Sequence, residues 1–232
     1  MTQQMARSEV RVLVVDDHAL FAESLELALS VEGYDARRVR DDECGSSPTA
    51  ALTAALRLRP RIVLLDLDLG HHGDGVRMVA PLVASGAQVV VVTGSDDPAR
   101  WGECLRHGAR TVIGKTRPLN EILAVVRRIN QGLPVIDRAE RDRLVRLWAD
   151  QRRQREGRDD RLRSLTRREQ EVLAHLMQGH CVRDIARTSV VSEATVRTQV
   201  KSILAKLEVS SQVAAVGMAH SVSWRAEVSV AV

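Results

Sequence analysis

Between residues 10 and 132, short uninterrupted apolar runs alternate with stretches of helical periodicity, and this alternation restricts the fold more than any other feature of the chain. Val12–Val15, Ile62–Leu65 and Val89–Val92 are continuous apolar runs, the pattern of strands buried on both faces. Tyr34–Val39 and Arg110–Ile113 are weaker strand candidates. Between them Ala19–Val31, Thr49–Leu58, Val76–Ala84, Pro98–His107 and Leu119–Asn130 carry helical spacing, and Pro98 and Pro118 stand where a first helical turn tolerates proline. Strand and helix repeated five times predict a doubly wound, five-stranded parallel α/β sheet with right-handed crossovers.

The remainder reads differently. Residues 137–163 hold ten arginines and seven carboxylates around a small apolar group of Leu144, Val145, Leu147 and Trp148, which predicts an exposed helical linker broken near Gly157. From Leu165 to Ser221 the periodicity is helical only and the units are short, as in a separate all-α four-helix domain. Thr166-Arg167-Arg168-Glu169 has the form of a capping box, opening a helix that ends at Gly179. Val182–Thr188 follows, then a helix capped by Ser192 and running through Leu207, then Val213–Ser221. The expected organisation is a first domain over 10–132, a linker over 133–161 and a second domain over 162–222, which a length of 232 residues accommodates.

Composition narrows the function classes. No stretch approaches the about 20 apolar residues that cross a bilayer, and Met1–Val10 lacks the apolar segment of a signal peptide, so a cytoplasmic protein without membrane association is expected. Cys44, Cys104 and Cys181 are scattered, which argues for reduced thiols packed as small apolar groups rather than a zinc site or disulfides. Residues 1–132 are nearly neutral, with 16 basic and 17 acidic side chains, while residues 133–232 carry 18 and 13. Nucleic acid, if bound, belongs to the second part.

The predicted strand ends gather chemistry that the linear sequence scatters. Asp16-Asp17 end the first strand, Asp66 the third and Thr93 the fourth, and Lys115 follows the fifth. In a parallel α/β sheet ligands bind beyond the carboxyl ends of the strands, so three carboxylates, a hydroxyl and an ammonium are expected in one crevice. One Asp at a strand end is ordinarily a turn residue or a helix cap; five suitable residues gathered at four strand ends are not. Clustered carboxylates need a cation, and a hard divalent ion such as Mg²⁺ suits them. A carboxylate beside that ion can accept a phosphoryl group. His71-His72 read as loop polarity rather than as metal ligands.

Val14-Val15-Asp16-Asp17-His18, Leu64-Leu65-Asp66, Val92-Thr93-Gly94 and Gly108-Ala109…Gly114-Lys115 resemble the motifs of response-regulator receiver domains. The resemblance implies a flavodoxin-like sheet with Asp66 as phospho-acceptor. It further implies Asp17, Asp66 and the backbone carbonyl of Asp68 as metal ligands, Asp16 as support through water, and Thr93 and Lys115 on the phosphate. Three positions depart from the family pattern: Gly70 replaces a usual proline, the loop Gly70-His71-His72-Gly73-Asp74-Gly75 is one residue longer, and Val112 replaces the usual aromatic switch residue.

In the second part, Val182–Thr188, the turn Ser189–Val191 and Ser192–Leu207 supply the parts of a helix-turn-helix. Ile185, Ala186, Val196, Val200, Ile203 and Leu207 form its expected inner face, and Arg197, Thr198 and Lys201 project where they can meet bases or phosphates. Leu165-Thr166-x-Arg168-Glu169-x-Glu171-Val172-Leu173, Asp184-Ile185-Ala186 and Thr195-Val196-Arg197 resemble the LuxR-type output domain, with Glu208 where glycine is common. The resemblance implies Arg197, Thr198 and Lys201 as DNA contacts and a dimer contact on Val213–His220.

The whole resembles a response regulator of the NarL/FixJ type. It implies a non-enzymatic transcription factor that accepts phosphate from a sensor histidine kinase and binds double-stranded DNA, as a homodimer at least when activated. Two alternatives use the same residues. Val112 and the altered loop suit a receiver that works without phosphorylation as a dimer or partner module. Asp66-Leu67-Asp68 superficially matches the paired aspartates of haloacid-dehalogenase phosphatases, although Asp16-Asp17 then lie on the wrong side of the pair in sequence.

Overall fold

The structure is a computed structural model that describes residues 6–39, 48–70 and 73–226. It divides into two compact units, Met1–Ala149 and Asp150–Val232. Cys44 and His71-His72 lie outside the described residues.

In the first unit, β1 (Arg11–Val15), β2 (Asp35–Arg38), β3 (Ile62–Leu65), β4 (Gln88–Thr93) and β5 (Thr111–Gly114) form one parallel sheet in the order β2-β1-β3-β4-β5. Its helices are α1 (Ala19–Val31), α2 (Pro48–Arg57), α3 (Val76–Ala84), α4 (Pro98–Arg106) and α5 (Leu119–Asn130). Period-two alternation sends Leu13, Val15, Val63, Leu65, Val89 and Val91 to one face, where they pack with Ala55, Val79, Leu82 and Cys104 of α2, α3 and α4. Val12, Val14, Ile62, Leu64, Val90 and Val92 face the other way, against Ala22, Leu25 and Leu29 of α1 and Ile122, Val126 and Ile129 of α5. Both faces being covered explains why the central strands are apolar between their ends, with polar residues only at the terminal positions Arg11, Gln88 and Thr93. Each such side chain contributes about 1.5–3 kcal/mol by leaving water.

The expected doubly wound sheet is therefore present. Pro98 occupies the first turn of α4, whose cap Asp97 accepts a bond from the Ala99 N–H. Pro118 sits one residue earlier than expected, at the N-cap of α5. A 3₁₀ turn at Arg7–Glu9 precedes β1 and carries no periodicity that a sequence could reveal.

Helix α6 (Arg138–Arg163) is continuous through Gly157, contrary to the expected break. The Cβ that Gly157 lacks would meet nothing within 4 Å, and the ion pair Arg152–Glu156 at 2.7 Å supports the exposed turns before it, so a single glycine does not interrupt the helix.

The second unit contains α7 (Arg167–Met177), α8 (Val182–Thr188), α9 (Glu193–Leu207) and α10 (Gln212–Ser221). Its core joins Leu162, Leu165, Val172 and Leu173 to Ile185, Ala186, Val196, Val200, Ile203 and Leu207, the inner face read from sequence. The capping box of Thr166 and Glu169 is formed, and Ser192 caps α9 by accepting from the Thr195 N–H. Cys104 is buried, and burial pushes its thiol up to about 12, which leaves it inert. Cys181 is exposed, contrary to the expected packing; its thiol lies 2.8 Å from Asp184 Oδ2 at the start of α8.

Candidate functional site

The carboxyl ends of β1 and β3 and the residue after β5 bring Asp16, Asp17, Asp66 and Lys115 together. Lys115 Nζ donates to Asp66 Oδ2 at 2.6 Å and lies 2.8 Å from Asp16 Oδ2. The Asp66 side chain is 2% exposed and that of Asp16 3%, so this ion pair is shielded from water. Burial pushes the Asp66 carboxyl up, and the Lys115 ammonium opposes that shift. Burial alone would lower the pKa of Lys115, but its bonds to Asp16 and Asp66 outweigh it and leave the ammonium more basic than usual. Each partner thus offsets part of the cost that burial places on the other's charge.

His18, which follows Asp17 in the turn into α1, joins the group: its Nδ1 lies 2.7 Å from Asp17 Oδ1. One ligand atom each from Asp16, Asp17, His18 and Asp66 falls within 4.8 Å of the others. Lys115 pairs with Asp16 and Asp66 while Asp17 lies against His18, and a set so rich in anionic oxygen suits a hard divalent cation. Sequence reading passed over His18, since a single histidine beside an Asp pair carries no spacing signal.

Glycines shape the rim. Gly70 adopts φ +54, where a proline ring cannot go, and a Cβ there would lie 2.9 Å from Asp17 Oδ2. The chain thus departs from proline at a place where its backbone turns left-handed and passes beside a carboxylate. A Cβ on Gly75 would lie 2.0 Å from the Asp66 carbonyl oxygen, so that position admits glycine only.

Thr93 is fully buried at the end of β4, paired in register with Gly114, and its Oγ1 accepts from the Ser95 N–H at 3.1 Å. Asp68 begins the loop after β3, its carboxylate 73% exposed and 3.5 Å from Arg100 Nη1. Val112 of β5, in register with Val91 of β4, is half-buried against the core.

On the second unit, Val196, Val200, Ile203 and Leu207 turn inward, while Arg197, Thr198 and Lys201 are exposed on α9. Arg197 Nη2 contacts Glu193 Oε2 at 3.2 Å, and the Thr198 hydroxyl donates to the Ala194 carbonyl at 3.0 Å. An exposed helix face bearing two cations and a hydroxyl can reach phosphates and base edges in a major groove. Glu169 was read only as a capping residue, yet it also joins α7 to α9: it accepts from Thr166 N at 2.7 Å, Lys206 Nζ at 2.7 Å and Ser202 Oγ at 2.6 Å.

Among the described residues no helix is long and apolar enough to cross a membrane.

Comparison with known proteins adds an independent line. The family model for the response regulator receiver domain matches residues 12–127, and that for bacterial regulatory proteins of the luxR family matches residues 163–219. The response regulator protein VraR of Staphylococcus epidermidis RP62A is 31% identical over 209 residues, 89% of this chain and 94% of that protein. The nitrate/nitrite response regulator protein homolog of Haemophilus influenzae Rd is 28% identical over 211 residues, 90% and 95% of the two chains. A solved structure of the Salmonella typhimurium RcsB response regulator is 20% identical, spans 90% of this chain and 98% of its own, and has a TM-score of 0.48.

Proposed function

The chain belongs to the response regulators, a receiver domain joined to a luxR-family DNA-binding domain, and from that premise we propose that Asp66 accepts the phosphoryl group through which this transcription regulator is controlled. The observation that carries the proposal is the Lys115 ammonium held 2.6 Å from Oδ2 of the buried Asp66 side chain, at the floor of a crevice whose rim residues Asp17 and His18 are exposed. Lys115 favours the ionised form of the buried carboxyl, and an oxygen of ionised Asp66 can bond to phosphorus while the donor's phosphorus–nitrogen bond breaks, leaving an acyl phosphate. The donor in this reading is a phosphohistidine on a sensor kinase. Lys115 remains to neutralise the phosphoryl oxygens, and Thr93, released from Ser95, can donate its hydroxyl to one of them.

Asp16, Asp17, Asp66 and the Asp68 carbonyl would hold Mg²⁺. Bound there, the ion would offset negative charge on the phosphoryl oxygens. We place the receiver at 10–132, the linker at 133–161 and the output domain at 162–222, boundaries supported by where the two family models match. Arg197, Thr198 and Lys201 are the proposed contacts to double-stranded DNA, α10 the contact of an activated homodimer, and the cytoplasm the compartment where operator DNA and kinase are both met.

The family is one of transcription factors rather than enzymes. The phosphatase reading is disfavoured by Asp68: an acid–base partner should face the crevice, whereas this carboxylate is exposed and paired with Arg100.

The test is phosphoryl transfer from acetyl phosphate with Mg²⁺, followed by mass mapping of the modified residue. We expect one phosphoryl group on Asp66 and none on the Asp66→Asn protein. Modification of another residue in the wild type would overturn the assignment.

A further inference from the structure

The ring of His18 is mostly exposed, but its Nδ1 points into the crevice. This nitrogen lies 2.7 Å from Asp17 Oδ1, 3.2 Å from Asp16 Oδ1 and 3.9 Å from Asp66 Oδ2. It also lies 3.2 Å from Lys115 Nζ. Around an octahedral ion with bonds of about 2.1 Å, adjacent ligand atoms stand about 3 Å apart and opposite ones about 4 Å. The Nδ1 distances follow that scale, with Asp16 and Asp17 as neighbours and Asp66 across from it.

These contacts make opposing demands on the ring. A neutral imidazole carries either a proton or a lone pair at Nδ1. A proton there suits Asp17 but faces the Lys115 ammonium. A lone pair accepts from Lys115 but faces the Asp17 carboxylate. A divalent cation shared by Nδ1 and the carboxylates removes the conflict, because lone pair and carboxylate oxygens then point at one positive charge while Nε2 keeps the proton. The helix start does not depend on this ring. His18 is the N-cap of α1 without a side-chain cap bond, and it is its backbone N–H that donates to Asp16 Oδ1, at 2.9 Å.

We infer that His18 Nδ1 is a ligand of the cation gathered by Asp16, Asp17 and Asp66, and that this imidazole turns the crevice toward first-row transition ions such as Mn²⁺ over Mg²⁺. Imidazole nitrogen suits transition ions, whereas Mg²⁺ favours oxygen and gives up its waters reluctantly. A neutral ring brings no charge of its own, so it adds affinity only where metal–nitrogen bonding is favourable.

This rests on reading the crevice as a divalent-cation site, and the experiment separates the two. Mn²⁺ binding to the full chain is followed by electron paramagnetic resonance and Mg²⁺ binding by competition. Electron spin echo envelope modulation of the bound Mn²⁺ then detects any nitrogen bonded to the ion. The wild type should show coupling to one imidazole nitrogen. In His18→Ala and His18→Gln that coupling should vanish and Mn²⁺ affinity should fall about tenfold, while Mg²⁺ affinity stays within about twofold of wild type. His18→Gln keeps a hydrogen-bonding group beside Asp17 and Lys115, so wild-type Mn²⁺ affinity in that variant would reduce His18 to a hydrogen-bonding role and overturn the inference. Bound Mn²⁺ without nitrogen coupling, coupling that survives the loss of His18, or an equal loss of both ions in His18→Ala would overturn it too and leave the acidic site standing. Asp66→Asn should weaken Mn²⁺ binding. Unchanged affinity in that variant, or a wild type that binds neither ion, overturns the cation site itself and the inference with it.

Discussion

Glu169 carries more of the second unit than its place at a helix start suggests. Burial works against its charge, yet bonds from Lys206, Ser202 and Thr166 outweigh that and hold its carboxyl down at about 2. A carboxyl whose folded pKa lies below its ordinary value stabilises the fold above that ordinary value, and the contribution disappears as pH falls toward the folded pKa. Glu169→Gln should therefore lower the stability of the output domain at neutral pH by on the order of 2 kcal/mol. The deficit should shrink between about pH 4.5 and pH 2, where the wild-type carboxyl takes up its proton. Urea unfolding followed by the fluorescence of Trp224, which packs on this core, measures both. A deficit that does not change over that range would remove the ion pair as its cause. Lys115 shows the same economy in the crevice, where one ammonium serves carboxylates from two strands.

At the scale of elements, residues with strong local signals found their places. Continuous apolar runs located β1, β3 and β4, Pro98 marked the start of α4, and the caps Thr166 and Ser192 located the starts of α7 and α9. The strand-end rule then put Asp16, Asp17, Asp66 and Lys115 in one crevice before any coordinates were needed. Long-range pairs stayed hidden: Arg100 with Asp74, or Gly102 with Leu144, join residues whose neighbours in sequence do not hint at a partner. Glu208 lies between these cases. Its departure from a common glycine is visible in the sequence, and the structure gives the reason glycine is common, since Glu208 ends α9 with φ 55 and ψ 44. A side chain in that region costs about 1 kcal/mol, and the exposed pair with Arg161 returns little of it. Glu208→Gly should raise the stability of the output domain by about 0.5–1 kcal/mol in the same urea experiment. A loss of stability would mean that the Arg161 pair outweighs the backbone strain.

At the scale of the whole molecule, a receiver and a DNA-binding unit share one chain. Control by phosphorylation requires that the phosphorylated state bind DNA differently from the resting state, because a ligand shifts an equilibrium only by its differential affinity. Reciprocal coupling between the two sites follows from the same linkage and typically amounts to on the order of 5- to 150-fold. The most direct measurement is the affinity of the full chain for DNA fragments chosen by binding selection, at fixed salt with Mg²⁺, with and without beryllofluoride. Wild-type affinity should rise within that range, and Asp66→Asn should show no change. Equal wild-type affinity in both conditions, or a rise that survives Asp66→Asn, would contradict control through Asp66.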